Sequence, residues 1–218
     1  MATYHTPTFE RLSAAKRSRI LKAATGEFAS KGYQGTNVNT IAAAAGISVG
    51  AIYKYFASKE DLFLTVVDMG YSALDKILWE IIADEGDIYH KIERLLRSAI
   101  AYSRENPELI QVYLNMTTQG LAHLSRDLSG KIETIAAQYY QSLVAAFRAR
   151  GLVAGDVDEK IAAFCLDSLL LIFQFSYACS YYQERLKIFV GPQVFDDDER
   201  LIRGLMQFIR RALSCQEP

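Results

Sequence analysis

Apolar positions recur at intervals of three and four along most of the chain, and the strict alternation of a half-buried strand is scarce. Ile20, Ala24 and Phe28 share one face of a helix expected over residues 14–31, which Gly32 stops. Asn37 is placed to cap a short helix over 38–45 that Gly46 ends, and Ser48 to cap another over 49–56. Ser58 followed by Asp61 reads as a capping box opening a long helix to about residue 83. Further helices are expected over 88–105, from Pro107 to about Gln119, over 128–150, over 158–189 before Gly191-Pro192, and over 196–213. The pattern predicts an all-α chain of about nine helices. Neither an internal repeat nor a Ser/Gly linker interrupts it, so the expected domains are 1–58, a small three-helix head, and 59–218, a larger helical body.

The head carries the chemistry. Two short helices joined by Gly46-Ile47-Ser48 have the length and glycine placement of a helix-turn-helix. Ile41, Ala42, Ile47, Ile52 and Phe56 would face the first helix as a miniature core, and the alanine run 42–45 lets the helices approach closely. The outward residues of the third helix, Val49, Gly50, Ala51, Tyr53, Lys54 and Tyr55, are small, aromatic or basic, and none is acidic. A helix fits the major groove and meets base edges with its N-terminal residues. Val49 and Ala51 suit thymine methyl groups, Lys54 guanine acceptors, and Tyr53, Tyr55 and Lys59 phosphates. Tyr33 is expected to pack on the first helix instead.

Charge sharpens this division. Residues 1–60 hold eight Lys or Arg against three acids, a net +5, while the remainder carries −6, which together give −1. A basic head on an acidic body suggests a polyanion at one end only. The three cysteines are too few for a disulfide scaffold and suit the reducing cytoplasm. No Cys-x-x-Cys, His-Glu-x-x-His, glycine-rich phosphate loop or Gly-x-Ser-x-Gly occurs, so no metal, no cofactor and no enzyme activity is expected. No apolar N-terminal run suggests a signal peptide. Residues 161–182 are long enough to span a bilayer, but Asp167 and Gln174 interrupt them, and a helix apolar all round also suits a bundle core or a subunit interface. The soluble reading is preferred, with no membrane partner.

Residues 14–63 resemble the DNA-binding region of the tetracycline-repressor (TetR) family. The matching elements run in one frame: Ile20-Leu21-Lys22-Ala23-Ala24, Phe28-Ala29-Ser30-Lys31-Gly32-Tyr33, Thr36, Val38, Ile41-Ala42, Ala45-Gly46-Ile47-Ser48, Gly50, Ile52-Tyr53, Tyr55-Phe56 and Ser58-Lys59-Glu60-Asp61-Leu62. The resemblance implies a homodimeric repressor whose recognition helix is 49–56 and whose last two long helices pair across the dimer. It implies phosphate contacts at Thr36, Ser48, Tyr53, Tyr55 and Lys59 and close base approach at Gly50. Asn37 stands where a second threonine is frequent and should still cap. Tyr55 stands where histidine is common.

In the body, most aromatics at helical spacing read as core packing. A ligand pocket is expected around Tyr102, Tyr113, Met116, Tyr140, Asp167, Leu170, Gln174 and Tyr177. A buried Asp167 needs a partner, either a cationic ligand or an Arg or Tyr of the same protein, the second being preferred. Phe164, Ser168, Leu171, Phe175, Ala178 and Tyr182, with Ile202, Leu205, Met206 and Ile209, form an expected dimer surface, the alternative being burial within one subunit. Cys165 and Cys179 read as buried fillers, with thiol sensing left open. The function expected is a cytoplasmic, ligand-responsive transcriptional regulator. It would be a homodimeric repressor released from double-stranded operator DNA by a small apolar or amphipathic effector. The alternative is a helical enzyme or lipid-binding protein whose head is a docking module.

Overall fold

The computed structural model describes residues 4–84, 88–118 and 122–214, and among them every regular element is helical. In chain order these are α1 (Pro7–Glu10), α2 (Ala14–Gly35), α3 (Val38–Ala44), α4 (Val49–Tyr55), α5 (Lys59–Ile82), α6 (Ile88–Glu105), α7 (Pro107–Thr118), α8 (Ala122–Ala149), α9 (Glu159–Ala178), α10 (Ser180–Val190) and α11 (Asp198–Leu213), with a 3-10 turn at Val194–Asp196. The expected end of α7 at Gln119 lies outside the described residues. The chain divides into two compact units, Met1–Leu74 with Glu108–Asp127, and Asp75–Pro107 with Leu128–Pro218.

In the first unit the caps fall where the sequence places them. Asn37 Oδ1 accepts from the Asn39 amide at 2.9 Å, Ser48 Oγ from Ala51 at 3.2 Å, and Ser58 Oγ from Asp61 at 3.0 Å. Helix α3 stops at Gly46, whose φ of 64° is open to glycine without strain. There the Ile47 amide reaches Ala42 O at 3.0 Å and the Gly46 amide reaches Ala43 O at 3.1 Å, closing the helix end. Helix α2 turns over at Gly32, with φ 65°, in the same way.

Its freed carbonyls are satisfied by three side chains. Thr36 Oγ1 donates to Gly32 O at 2.6 Å, and Lys59 Nζ to Gln34 O at 3.4 Å and Thr36 O at 3.1 Å. Asn115 Nδ2 of α7 donates to Phe28 O at 3.3 Å and Ala29 O at 3.1 Å. Beneath them Ile20, Phe28, Ile41, Ile52, Phe56, Leu62 and Phe63 are buried, and the Phe28 and Phe63 rings meet edge-on at 5.0 Å. Each such side chain contributes about 1.5–3 kcal/mol of transfer free energy. Tyr33 packs against Phe63 at 5.2 Å between ring centroids.

The N-terminal residues form a strap that the hydrophobic pattern did not announce. The Thr6 amide donates to Tyr55 O at 2.8 Å and its hydroxyl to Lys54 O at 2.9 Å, so the chain start closes the C-terminal end of α4. Phe9 is buried, 4.8 Å from the Phe56 ring.

In the second unit α6 packs on α9 and α11, and α9 on α10. The single helix expected over 158–189 is two. Cys179 is extended, with φ −110° and ψ 125°, and Gln183 Nε2 donates to the carbonyl of Tyr177 at 3.2 Å. No glycine or proline marks this break, which is stabilised by a side chain four residues beyond it. Helix α9 has the length and composition to cross a bilayer, and it buries Ala162, Ala163, Leu166, Leu170 and Phe173 within the chain. Arg104 grips Asp198 through two bonds of 2.6 and 2.9 Å, and the Tyr177 hydroxyl donates to the same carboxylate at 2.8 Å, tying α6, α9 and α11 together. Cys179 is buried as expected, but Cys165 is exposed, because it lies on the outer stripe of α9 with Ile161 and Phe164.

Candidate nucleic-acid interface

Helices α3 and α4 lie on one buried core, and their outer residues form one acid-free face. No Asp or Glu occurs between Glu27 and Glu60. Asn37, Ser48, Gly50, Tyr53 and Lys54 are exposed, and Val49 and Ala51 are partly so. Tyr53 presents half its surface to solvent. A cation, a phenol and two small or branched apolar side chains thus stand on the outside of a seven-residue helix. Phosphates and base edges recognise those groups.

Gly50 makes the sharpest point. A Cβ there would meet nothing nearer than Ser48 Oγ at 4.0 Å, so the chain itself does not demand glycine. The missing side chain leaves room for something outside the chain to approach the α4 backbone.

Three residues expected to hold phosphates are used inside the chain. The Thr36 side chain is buried and its hydroxyl closes α2. Tyr55 is 6% exposed and packs 6.1 Å from the Phe9 ring, as part of the miniature core. Lys59 caps α2 and stands 4.8 Å over the Tyr33 ring. Residue type alone suits all three to a phosphate, and only direction separates the two uses. Asn39 and Thr40 of α3, also exposed, were missed. Their signal is the outward polar pair after the Asn37 cap.

The residues expected to line a pocket come from both units. Tyr113 and Met116 belong to the first unit and the other six to the second. Tyr177 is bound to Asp198, and burial before that bond raises its phenol above the ordinary range. Tyr102 is raised by burial, Leu170 is buried and Gln174 half-buried. Tyr140 and Asp167 do come together. Burial, then Asp167, raises the Tyr140 phenol, and burial, then Glu133, lifts the Asp167 carboxyl to about 6. A cleft of about 440 Å³ lies elsewhere, between Glu93 and Arg97 of α6 and Ile202, Arg203, Met206 and Arg210 of α11.

The expected dimer surface divides by direction. Ile202, Met206 and Ile209 are buried in their own chain where α11 packs on α6, and Phe175 is buried under α10, 5.3 Å from the Tyr182 ring. Ser168, Leu171, Ala178, Tyr182 and Leu205 are partly exposed, and Phe164 is 70% exposed. The apolar side chains left outward on these helices are Ile161, Phe164, Ile172, Tyr181, Ile188, Phe189 and Phe208.

A small three-helix head that presents an acid-free short helix over a glycine turn defines a helix-turn-helix DNA-binding protein. The family model for bacterial regulatory proteins of the tetR family matches residues 20–66. The head is thus similar to the DNA-binding region of the TetR family of transcriptional regulators. It is 38% identical over 96 residues to the HTH-type transcriptional regulator HbdR of Aromatoleum sp. (strain CIB), a match spanning 44% of this chain and 40% of that one. It is 29% identical over 177 residues to the HTH-type transcriptional repressor SCO4008 of Streptomyces coelicolor, covering 81% of this chain and 84% of the repressor. Its fold is that of a TetR family transcriptional regulator from Chloroflexus aurantiacus J-10-FL, with TM-score 0.71 and 23% identity over 97% of this chain and 99% of the other. These matches do not favour the enzyme or lipid-binding alternative.

Proposed function

We propose that the chain is a cytoplasmic homodimeric repressor that leaves its operator when a small apolar or amphipathic effector binds the body, and that it catalyses no reaction. The observation that carries this is the α4 face, where Ser48, Val49, Gly50, Ala51, Tyr53 and Lys54 stand outward without an acid, flanked by Asn37. Val49, Ala51 and Lys54 read bases, and Ser48, Tyr53 and the α3 amides capped by Asn37 position the duplex backbone. The division of labour falls at residues 58–59, a reading head of 1–58 and an effector and dimerisation body of 59–218. The outward apolar residues of α9, α10 and α11 meet their copies in a second chain and set two α4 helices about 34–36 Å apart on one face of DNA. An effector that favours a body shape with another separation weakens DNA binding by its differential affinity, and the duplex weakens effector binding equally.

The test is a mobility-shift titration of the full chain against the duplex flanking its own gene, at two salt concentrations. A discrete complex of two chains per site, weakening as salt rises, is the expected result. Binding no tighter than to random duplex would defeat the proposal.

A further inference from the structure

Helix α11 has a basic flank beside its buried one. Ile202, Met206, Ile209 and Leu213 turn into the second unit. Glu199, Arg203, Gln207, Arg210 and Arg211 line the cleft of about 440 Å³ against Glu93 and Arg97 of α6. Steps of three and four keep Arg203, Gln207 and Arg210 on that one side of the helix. Phe208, the large apolar side chain left outward on α11, lies roughly 140–160° around the axis from Arg203 and Arg210 at 3.6 residues per turn. The side of α11 that Phe208 offers to a second chain is therefore not the side of Arg203 and Arg210.

The cleft holds four guanidiniums and two carboxylates, a net of two positive charges. One guanidinium answers both acids. Arg97 Nη1 and Nη2 donate to the two oxygens of Glu199 at 2.5 and 2.8 Å, and Nη2 donates to Glu93 Oε1 at 2.7 Å. The Arg97 bond, with a smaller pull from Arg203, holds the Glu199 carboxyl below its ordinary range. Arg210 stands 4.3 Å over the Tyr89 ring, which orients the guanidinium without cancelling its charge. Among the described residues Arg203, Arg210 and Arg211 form no salt bridge. Below them Ile202 and Met206, 3% and 8% exposed, give the cleft an apolar floor. Arg203 and Arg210 are two turns apart, roughly 10 Å along the axis. Guanidinium forks match phosphoryl and carboxylate oxygens in pairs.

We infer that this cleft binds a small organic dianion, one anionic group held by Arg203 and the other by Arg210 and Arg211, with the carbon skeleton laid on Ile202 and Met206. Two phosphoryl groups or two carboxylates bring the same chemistry. A cation would face the guanidiniums, and a monoanion would reach only one end of the basic flank. The inference goes beyond the effector reading above. It assigns a separate binding place on the body, and it stands or falls whether or not the chain holds an operator.

The test titrates the full chain calorimetrically at constant ionic strength with adipate, with the bisphosphate ester of butanediol, and with hexanoate, which has the length of adipate and one charge. At least one dianion is expected to saturate at one per chain, at least tenfold tighter than hexanoate, and the tighter of the two names the anionic group. Arg203→Gln and Arg210→Gln should each weaken it about fivefold or more. Arg200→Gln, which removes an exposed arginine of the same helix outside the cleft, should change it less than twofold. Melting curves check that the variants fold. Hexanoate binding as tightly as the dianions, no saturable binding of either dianion, or an equal loss in Arg200→Gln overturns the inference. So does displacement of the dianion by random duplex, which assigns the arginines to nucleic acid. Glu217 is the next acid along the chain after Arg211. A tenfold gain in Glu217→Gln would give the cleft to the chain's own carboxylate, and dianion binding seen only when associated chains are diluted apart would give it to a partner subunit's acid. Either result also overturns the inference.

Discussion

The two units finish their surfaces differently. In the first, the only large hydrophobic side chain left well exposed among the described residues is Tyr53, and helix ends are closed by Thr6, Thr36, Lys59 and Asn115. In the second, Trp79, Ile161, Phe164, Ile172, Tyr181, Ile188, Phe189 and Phe208 stand outward, and the buried Tyr139 hydroxyl lacks a hydrogen-bond partner among the described residues. A reader of DNA must hold one shape before its partner arrives, because base edges are matched at hydrogen-bond distance. A body that awaits a second chain and a ligand leaves the corresponding groups unmatched until they come.

The contrast can be broken most severely in the head. Phe28→Ala removes a fully buried ring and should cost about 3–5 kcal/mol in urea denaturation, with operator binding lost alongside. In the body, Phe164→Lys alters a side chain that its own chain leaves open, so melting should change little. Sedimentation should show the dimer dissociating at least tenfold more readily, about 1.4 kcal/mol. If Phe164→Lys destabilises the isolated chain instead, the outward face of α9 is not an interface.

Smaller effects sharpen the comparison. Asp167 carries a carboxyl lifted to about 6, by burial first and Glu133 second, with the Tyr140 phenol beside it. Its folded form holds a proton more readily than its unfolded form. The favourable contribution is therefore present below the ordinary carboxyl value of 3.8 and is lost as pH rises through about 6. Asp167→Asn should raise stability near neutral pH by about 1 kcal/mol after discounting for solvent screening, and should flatten melting temperature against pH.

Gly50→Ala should do opposite things to fold and function. It gains up to about 1 kcal/mol of helix propensity, seen as a higher melting temperature, and it weakens operator binding. Unchanged DNA affinity would show that nothing approaches the α4 backbone there. Last, Thr6→Val removes one exposed bond to Lys54 O and should cost about 0.5–1 kcal/mol, with DNA affinity falling less than threefold.

Much of the head was legible because its signals are local. Asn37, Ser48, Ser58, Gly32 and Gly46 act on amides and carbonyls within a few residues, and the structure puts each cap and stop where the spacing requires. Direction was not legible. Thr36, Tyr55 and Lys59 have the right chemistry for phosphates, and nothing in the string shows that α2 carbonyls and Phe9 claim them first. In the body the break at Cys179 depends on Gln183, which no turn residue signals. The inward turn of Ile202, Met206 and Ile209 depends on α6, about a hundred residues away.

Asn115 carries a consequence for evolution and engineering. Its amide holds two carbonyls of α2, so a piece of sequence more than eighty positions downstream is stitched into the reading head. A fragment truncated after α5 would therefore lose part of the head's own scaffold. Grafting residues 1–58 onto a foreign body should succeed best when the recipient offers an amide or cationic side chain to the same pair of carbonyls.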